Sequence, residues 1–119
     1  MSELEYTPVI LEKKLRDTLN EIMRAPKICE RALAEYRAAG RAYDEKYHTE
    51  KANFQGTIPD KESHAVLSSM AEREAMETAE VAYKYARDRK NAVELCLGGL
   101  QSISRSVQQA YNAIGMVEP

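Results

Sequence analysis

Apolar residues recur along this chain at steps of three and four, with charged and polar residues between them. Leu11, Leu15, Leu19 and Ile22 make one such stripe, with Glu12, Lys13, Arg16, Asp17 and Glu21 around the rest of the turn. That spacing predicts an amphipathic helix over 8–24. Thr7 is a good N-cap for it, and Pro8 suits the first helical position. Pro26 removes the hydrogen bond to the Ile22 carbonyl and disfavours helical geometry at Ala25, so the pattern predicts a break or kink there. The stripe resumes at once through Cys29, Ala32, Tyr36, Ala39, Tyr43 and Tyr47, a heptad-like seam that predicts a second helix over 27–54. Gly40 falls within that seam and permits a close helix contact. Gly and Pro lie three apart in 55–61, with Gly56 placed to cap the preceding helix and Asp60 to cap the next.

A third stretch, 62–113, contains no proline. Its stripe is read as Ala75, Ala79, Ala82, Ala86, Val93, Leu97, Leu100, Ile103, Val107, Ala110 and Ile114. Gly98-Gly99 is its weak point and Gly115 its natural stop. No sustained alternation of β-branched residues signals a strand. The arms before and after 55–61 are of similar length, so folding back pairs positions whose numbers add to about 116. The apolar stripes coincide in that register, with Leu15 and Leu19 near Leu97 and Leu100 and Pro26 near Lys90. The expected fold is all-α: an elongated, coiled-coil-like antiparallel helical hairpin. It has three helices, the first arm kinked or broken at Pro26, and residues 1–119 form a single helical domain.

Composition changes this picture in one respect. Leu, Ile, Val and Phe number only 22, while alanines number 16 and tyrosines 7. Alanine forms helices well and lets backbones approach closely, but it buries little area. The protomer is therefore expected to complete its core by self-association, as a dimer or higher oligomer. The formal net charge is −2, from 17 basic and 19 acidic residues, which argues against a dedicated duplex-DNA coat. No apolar run approaches the roughly 18 residues of a membrane span, and the acidic start lacks a signal core. Cys29 and Cys96 fit no metal-ligand spacing and sit on the apolar seams, where they read as small core residues in a reduced, cytoplasmic compartment. Charge is uneven along the second arm: residues 62–83 hold five Glu and one Arg, whereas 84–109 hold five basic residues against Asp88 and Glu94.

Candidate chemistry is sparse. His48 and His64 flank the turn near Glu50 and Glu62, but neither has the second ligand on one face that a metal site needs. Gly98-Gly99 follows no strand and precedes no Gly-Lys-Ser/Thr, so it is no phosphate loop. No pair of carboxylates and no Cys-His or Ser-His arrangement with an orienting third group is legible, and no enzyme and no cofactor is expected. Tyrosines interleaved with basic residues give the chain its one nucleic-acid signal, because rings stack on bases while cations meet phosphates. The same tyrosines, at helical spacing, also read as seam residues standing where leucine usually sits. Ser102, Arg105 and Gln109 share a polar face farther along.

The runs Ala79-Glu-Val-Ala-Tyr-Lys-Tyr-Ala-Arg-Asp-Arg-Lys90 and Leu100-Gln-Ser-Ile-Ser-Arg-Ser106, followed by Ala110-Tyr111, resemble small all-helical proteins from the early regions of actinobacterial tailed phages and prophages. Leu15, Leu19, Ala25-Pro26 and Tyr43 fit that group more loosely. The resemblance implies a phage product encoded near replication and recombination genes, and it carries over no catalytic residues. A weaker resemblance is to secreted helical hairpins of the WxG type. Here the turn reads Phe54-Gln55-Gly56, Trp is absent, and no Tyr-x-x-x-Asp/Glu export signal follows.

Together these readings lead to a non-enzymatic phage accessory protein of DNA replication or recombination, working in the host cytoplasm. It is expected to bind a phage or host partner protein or single-stranded DNA, and not a membrane. The expected binding surface is Tyr83, Lys84, Arg87, Arg89, Lys90, Arg105 and Gln109. The alternatives are a helical inhibitor or adaptor docking on a host protein, and a structural or WxG-like hairpin.

Overall fold

Thr7 begins the first helix as its sequence suggests. Its Oγ1 accepts from the Ile10 N–H at 3.3 Å, and its carbonyl accepts from the Leu11 N–H at 2.9 Å. The protein, described here by a computed structural model over residues 6–117, consists of three helices: α1 (Pro8–Asn53), α2 (Ile58–Ser68) and α3 (Met70–Val117). No strand occurs among the described residues. The all-α helical hairpin is thus the fold.

The interruptions fall elsewhere than expected. α1 runs through Pro26 without a break. Pro26 lies on the exposed side of the helix, so the unpartnered Ile22 carbonyl is left to water, while neighbouring Ala25 is buried. The second interruption is instead at Ser69, a single residue between α2 and α3. Its φ of −108° and ψ of 13° leave the helical region, and its hydroxyl donates to the Ala65 carbonyl at 2.6 Å. Backbone bonds from Ser69 to Ala65 and from Arg73 to Ser69 keep the ladder continuous across it.

The capping assignments also change. Gly56 does not cap α1 through a left-handed turn, since no described glycine has positive φ. Thr57, not Asp60, is the N-cap of α2, accepting from the Asp60 N–H at 3.4 Å, with proline in the first turn. The turn is therefore short, and helix restarts at Ile58 instead of residue 62. Gly98-Gly99 lies within unbroken helix, and α3 passes Gly115 to end at Val117.

Contacts divide the chain into two compact units. Unit 1 joins the chain up to Pro26 with the chain from Asp88 onward, and unit 2 is Lys27–Arg87. In unit 1, Leu11 and Leu15 share grooves with Val107 and Ser104, and Glu21 pairs with Arg89. In unit 2, Tyr36 meets Glu80 and Glu50 meets His64. Falling numbers on one strand against rising numbers on the other make both units antiparallel, in the register the stripes predict.

Unit 1 pairs α1 with α3 and unit 2 pairs α1 with α2 and the start of α3, a single layer in each, so burial is thin. Leu11, Ala25, Val93 and Leu100 are the buried apolar side chains of unit 1, and Ala65 that of unit 2. Several expected seam residues lie outside it. Leu19 is exposed because eight residues from Leu11 carry it about 80° round the helix. Ala75, Ala82, Ala110 and Ile114 are exposed as well. The inward stripe of α3 passes instead through Met76, Tyr83 and Lys90, all half-buried. Cys29 is half-buried as expected, but Cys96 is exposed and is no core residue.

Candidate functional site

The seven residues expected to form one binding surface are distributed round α3. In unit 2, Tyr83 is half-buried and stacks on Tyr36 across the hairpin, with ring centroids 6.2 Å apart and planes 20° from parallel. It fills the seam, as tyrosines at helical spacing can, and its ring is engaged. The Tyr36 hydroxyl donates to Glu80 at 3.1 Å, and Lys84 Nζ donates to the other Glu80 oxygen at 2.8 Å. The hydrogen bond from Lys84, then that from Tyr36, holds the Glu80 carboxyl below its ordinary range. The Glu80 hydrogen bond and negative charge in turn raise both Lys84 and Tyr36. Arg87 is exposed on α3.

In unit 1, Arg89 Nε donates to Glu21 on α1 at 2.7 Å. Arg105 borders a shallow groove with Leu15, Gln101 and Ser104, and Gln109 is exposed one turn on. Lys90 is half-buried. At 100° per residue, Arg87 and Arg89 project about 200° apart. Lys84 and Arg89 hold carboxylates, so their charge is already partly neutralised.

The hairpin end of unit 2 holds a cluster that the sequence only hinted at. His64 Nε2 bonds Glu50 Oε2 at 2.9 Å, and Ser68 Oγ lies 3.3 Å from the same nitrogen. Phe54 stacks on the His64 ring at 4.5 Å, and Lys46 pairs with Glu50 at 3.1 Å. Hydrogen bonds from His64, then Lys46, hold the Glu50 carboxyl below its ordinary range. Ser, His and carboxylate are the elements of a nucleophilic triad, but both contacts land on one ring nitrogen. A relay needs the acid on one nitrogen and the hydroxyl on the other. The cluster is a clasp that closes α1 onto α2. The signals for it were His64 and Ser68 at i,i+4 and the nearness of Glu50 to the turn. His48 is exposed, with its ring edge-on to Tyr47. Among the described residues, no group of three or more His, Cys, Asp or Glu is placed to hold a metal, and no helix is long and apolar enough to cross a membrane.

Apolar side chains remain uncovered on the solvent side of the helices. In unit 2 these include Ile58, Leu67, Met70, Val81 and Tyr85, and in unit 1 Met23 and Leu95. Comparison with known proteins finds no matching family model, no matching curated protein and no matching solved structure.

Proposed function

We propose that this chain is a non-catalytic helical docking module of phage DNA metabolism, acting in the host cytoplasm by binding a partner protein. The observation that carries docking is the surface. Large apolar side chains stand exposed on helix faces, Leu67, Val81 and Tyr85 of unit 2 among them, and these are the kind of side chain a partner helix covers. The phage setting rests on the resemblance of the runs at 79–90 and 100–106. A protein partner is favoured over single-stranded DNA because Tyr83 is stacked in the seam and Lys84 and Arg89 are paired.

Size exclusion with in-line light scattering, with and without a labelled 40-nucleotide strand at low salt, tests this reading. The expected result is a discrete assembly whose elution the DNA leaves unchanged. Co-elution with DNA, lost steeply as salt rises and weakened by substituting Arg87, Arg89 and Lys90, would replace protein docking with nucleic-acid binding.

A further inference from the structure

In unit 2, α1 carries a charge pattern that its own helix does not need. Its inner side meets α3, with Tyr36 on Glu80 and Gly40 against Met76. On the opposite side Lys27, Arg31, Ala34, Ala38 and Arg41 follow one another at steps of four and three, with Arg37 on the flank, and all six are exposed. Lys27 and Arg31 stand at i,i+4, and so do Arg37 and Arg41. Like charges at that spacing repel and weaken a helix. Elsewhere in the unit the same spacing sets opposite charges together: Lys46 with Glu50, Arg73 with Glu77 and Lys84 with Glu80, at 2.8 to 3.2 Å. Among the described residues the four outward cations form no ion pair, although Glu35 lies one turn from Arg31. A local rule broken twice on one exposed face, with no compensating contact, marks a surface kept for a partner and not for the fold.

We propose that the outward face of α1 between Lys27 and Arg41 docks an acidic helix of a partner protein. The proposal rests on the reading of the chain as a docking module and names the chemistry of a partner. Charge complementarity selects an acidic occupant, because carboxylates beside Lys27/Arg31 and Arg37/Arg41 relieve the repulsion within each pair. Spacing selects a helix. The centres of the two cation pairs are ten residues apart, roughly 15 Å along the axis, which is close to three turns of a partner helix. Ala34 and Ala38 lie between the pairs, and their small side chains let a second helix axis come close. Nucleic acid fits less well. A duplex presents charge continuously, about one phosphate per 3.4 Å on each strand. Here the cations come in two groups, Ala34 and Ala38 fill the gap, and Glu30 and Glu35 flank it. No aromatic ring stands on this face to stack with the bases of a single strand.

The probe is a labelled alanine-rich helical peptide with glutamates at i, i+4, i+11 and i+15, which places two acidic pairs on one side three turns apart. A control peptide of the same composition spreads its glutamates evenly round the helix. Fluorescence anisotropy with the full chain at low salt is expected to show the patterned peptide binding at least about tenfold more tightly than the control. Arg31→Ala with Arg41→Ala is expected to remove that preference while helix content and melting temperature hold or rise, since both changes relieve repulsion and alanine forms helix well. Equal binding of the two peptides, or none of either, would overturn the proposal and leave the docking reading standing. A labelled short DNA duplex that binds more tightly than the patterned peptide, and is released by the same double substitution, would overturn the acidic helix and the docking reading together. Light scattering of the peptide-free chain covers the remaining occupant. An oligomer dispersed by the double substitution would assign this face to a second copy and overturn a separate partner.

Discussion

The two units close by different physics. Unit 1 is held by aliphatic contact, with Leu11, Val93 and Leu100 buried and Ala25 letting the helices approach. Unit 2 buries only Ala65 among its apolar side chains and relies on directional contacts: Tyr36 on Tyr83, Tyr36 and Lys84 on Glu80, and His64 between Glu50 and Phe54. Aliphatic burial is non-directional and indifferent to pH, so unit 1 tolerates reshaping of similar volume but not loss of volume. Stacked tyrosines and hydrogen-bonded carboxylates specify register more sharply and add titratable groups to the seam. The lesson is that one hairpin fold can be closed along its length by unlike interactions, and each end then fails under its own conditions.

The largest effect expected is from volume loss in unit 1. Leu100→Ala should cost about 2–3 kcal/mol, the lower part of the usual range because a two-helix layer relaxes around the gap. Hydrogen exchange should show the amides of 8–24 and 90–110 losing protection before those of 30–50. Equal loss in both stretches would break the distinction between the units. Pro26→Ala restores a hydrogen-bond donor in an exposed helix interior and should stabilise by about 1–3 kcal/mol, read as a raised melting temperature. No gain would show that the proline relieves strain in α1.

Acid and alkali should act on unit 2. The Glu50 and Glu80 carboxyls lie below the ordinary 4.5 in the folded chain, so the unfolded chain binds those protons more tightly. Their stabilisation is complete above 4.5 and is lost as pH falls through the lowered folded values. Tyr36 and Lys84 lie above 10.0 and 10.5, so the folded chain holds those protons more tightly. That stabilisation is complete below 10.0 and is lost as pH rises through the raised folded values. Chemical denaturation across both ranges, with Tyr36→Phe as the variant that removes the tyrosine part of the alkaline loss, checks the sign. The smallest effect is at Gly40, where an added Cβ would lie 3.9 Å from Met76 Sδ, an ordinary contact. Gly40→Ala should therefore stabilise unit 2 by about 0.5–1 kcal/mol, and a loss on thermal melting would mean that the helices need a closer approach there.

Much of the seam was legible. Tyr36, Tyr43 and Tyr47 stand half-buried at the heptad spacing that announced them, and the hairpin register follows from where the stripes coincide. The candidate surface was less so. Arg87 and Arg89 are neighbours in sequence but project to different sides of α3, and Arg89 reaches Glu21, sixty-eight residues away. Cys96 and Ala82 matched an apolar period yet face solvent, because a helix rich in small residues presents several apolar stripes of nearly equal quality.

By itself the sequence determined the all-α class, the start at Thr7, a turn within 55–61 and the antiparallel pairing. These depend on local propensity, capping and the 3.6-residue period, which a single chain displays openly. Only the tertiary structure decided that α1 continues through Pro26, that the interruption falls at Ser69, and that His64 clasps Glu50. It also decided which stripe of α3 faces α1. Those outcomes depend on which face a neighbouring helix covers and which polar groups it leaves to water, and neither is written in the spacing of one strand of the hairpin alone.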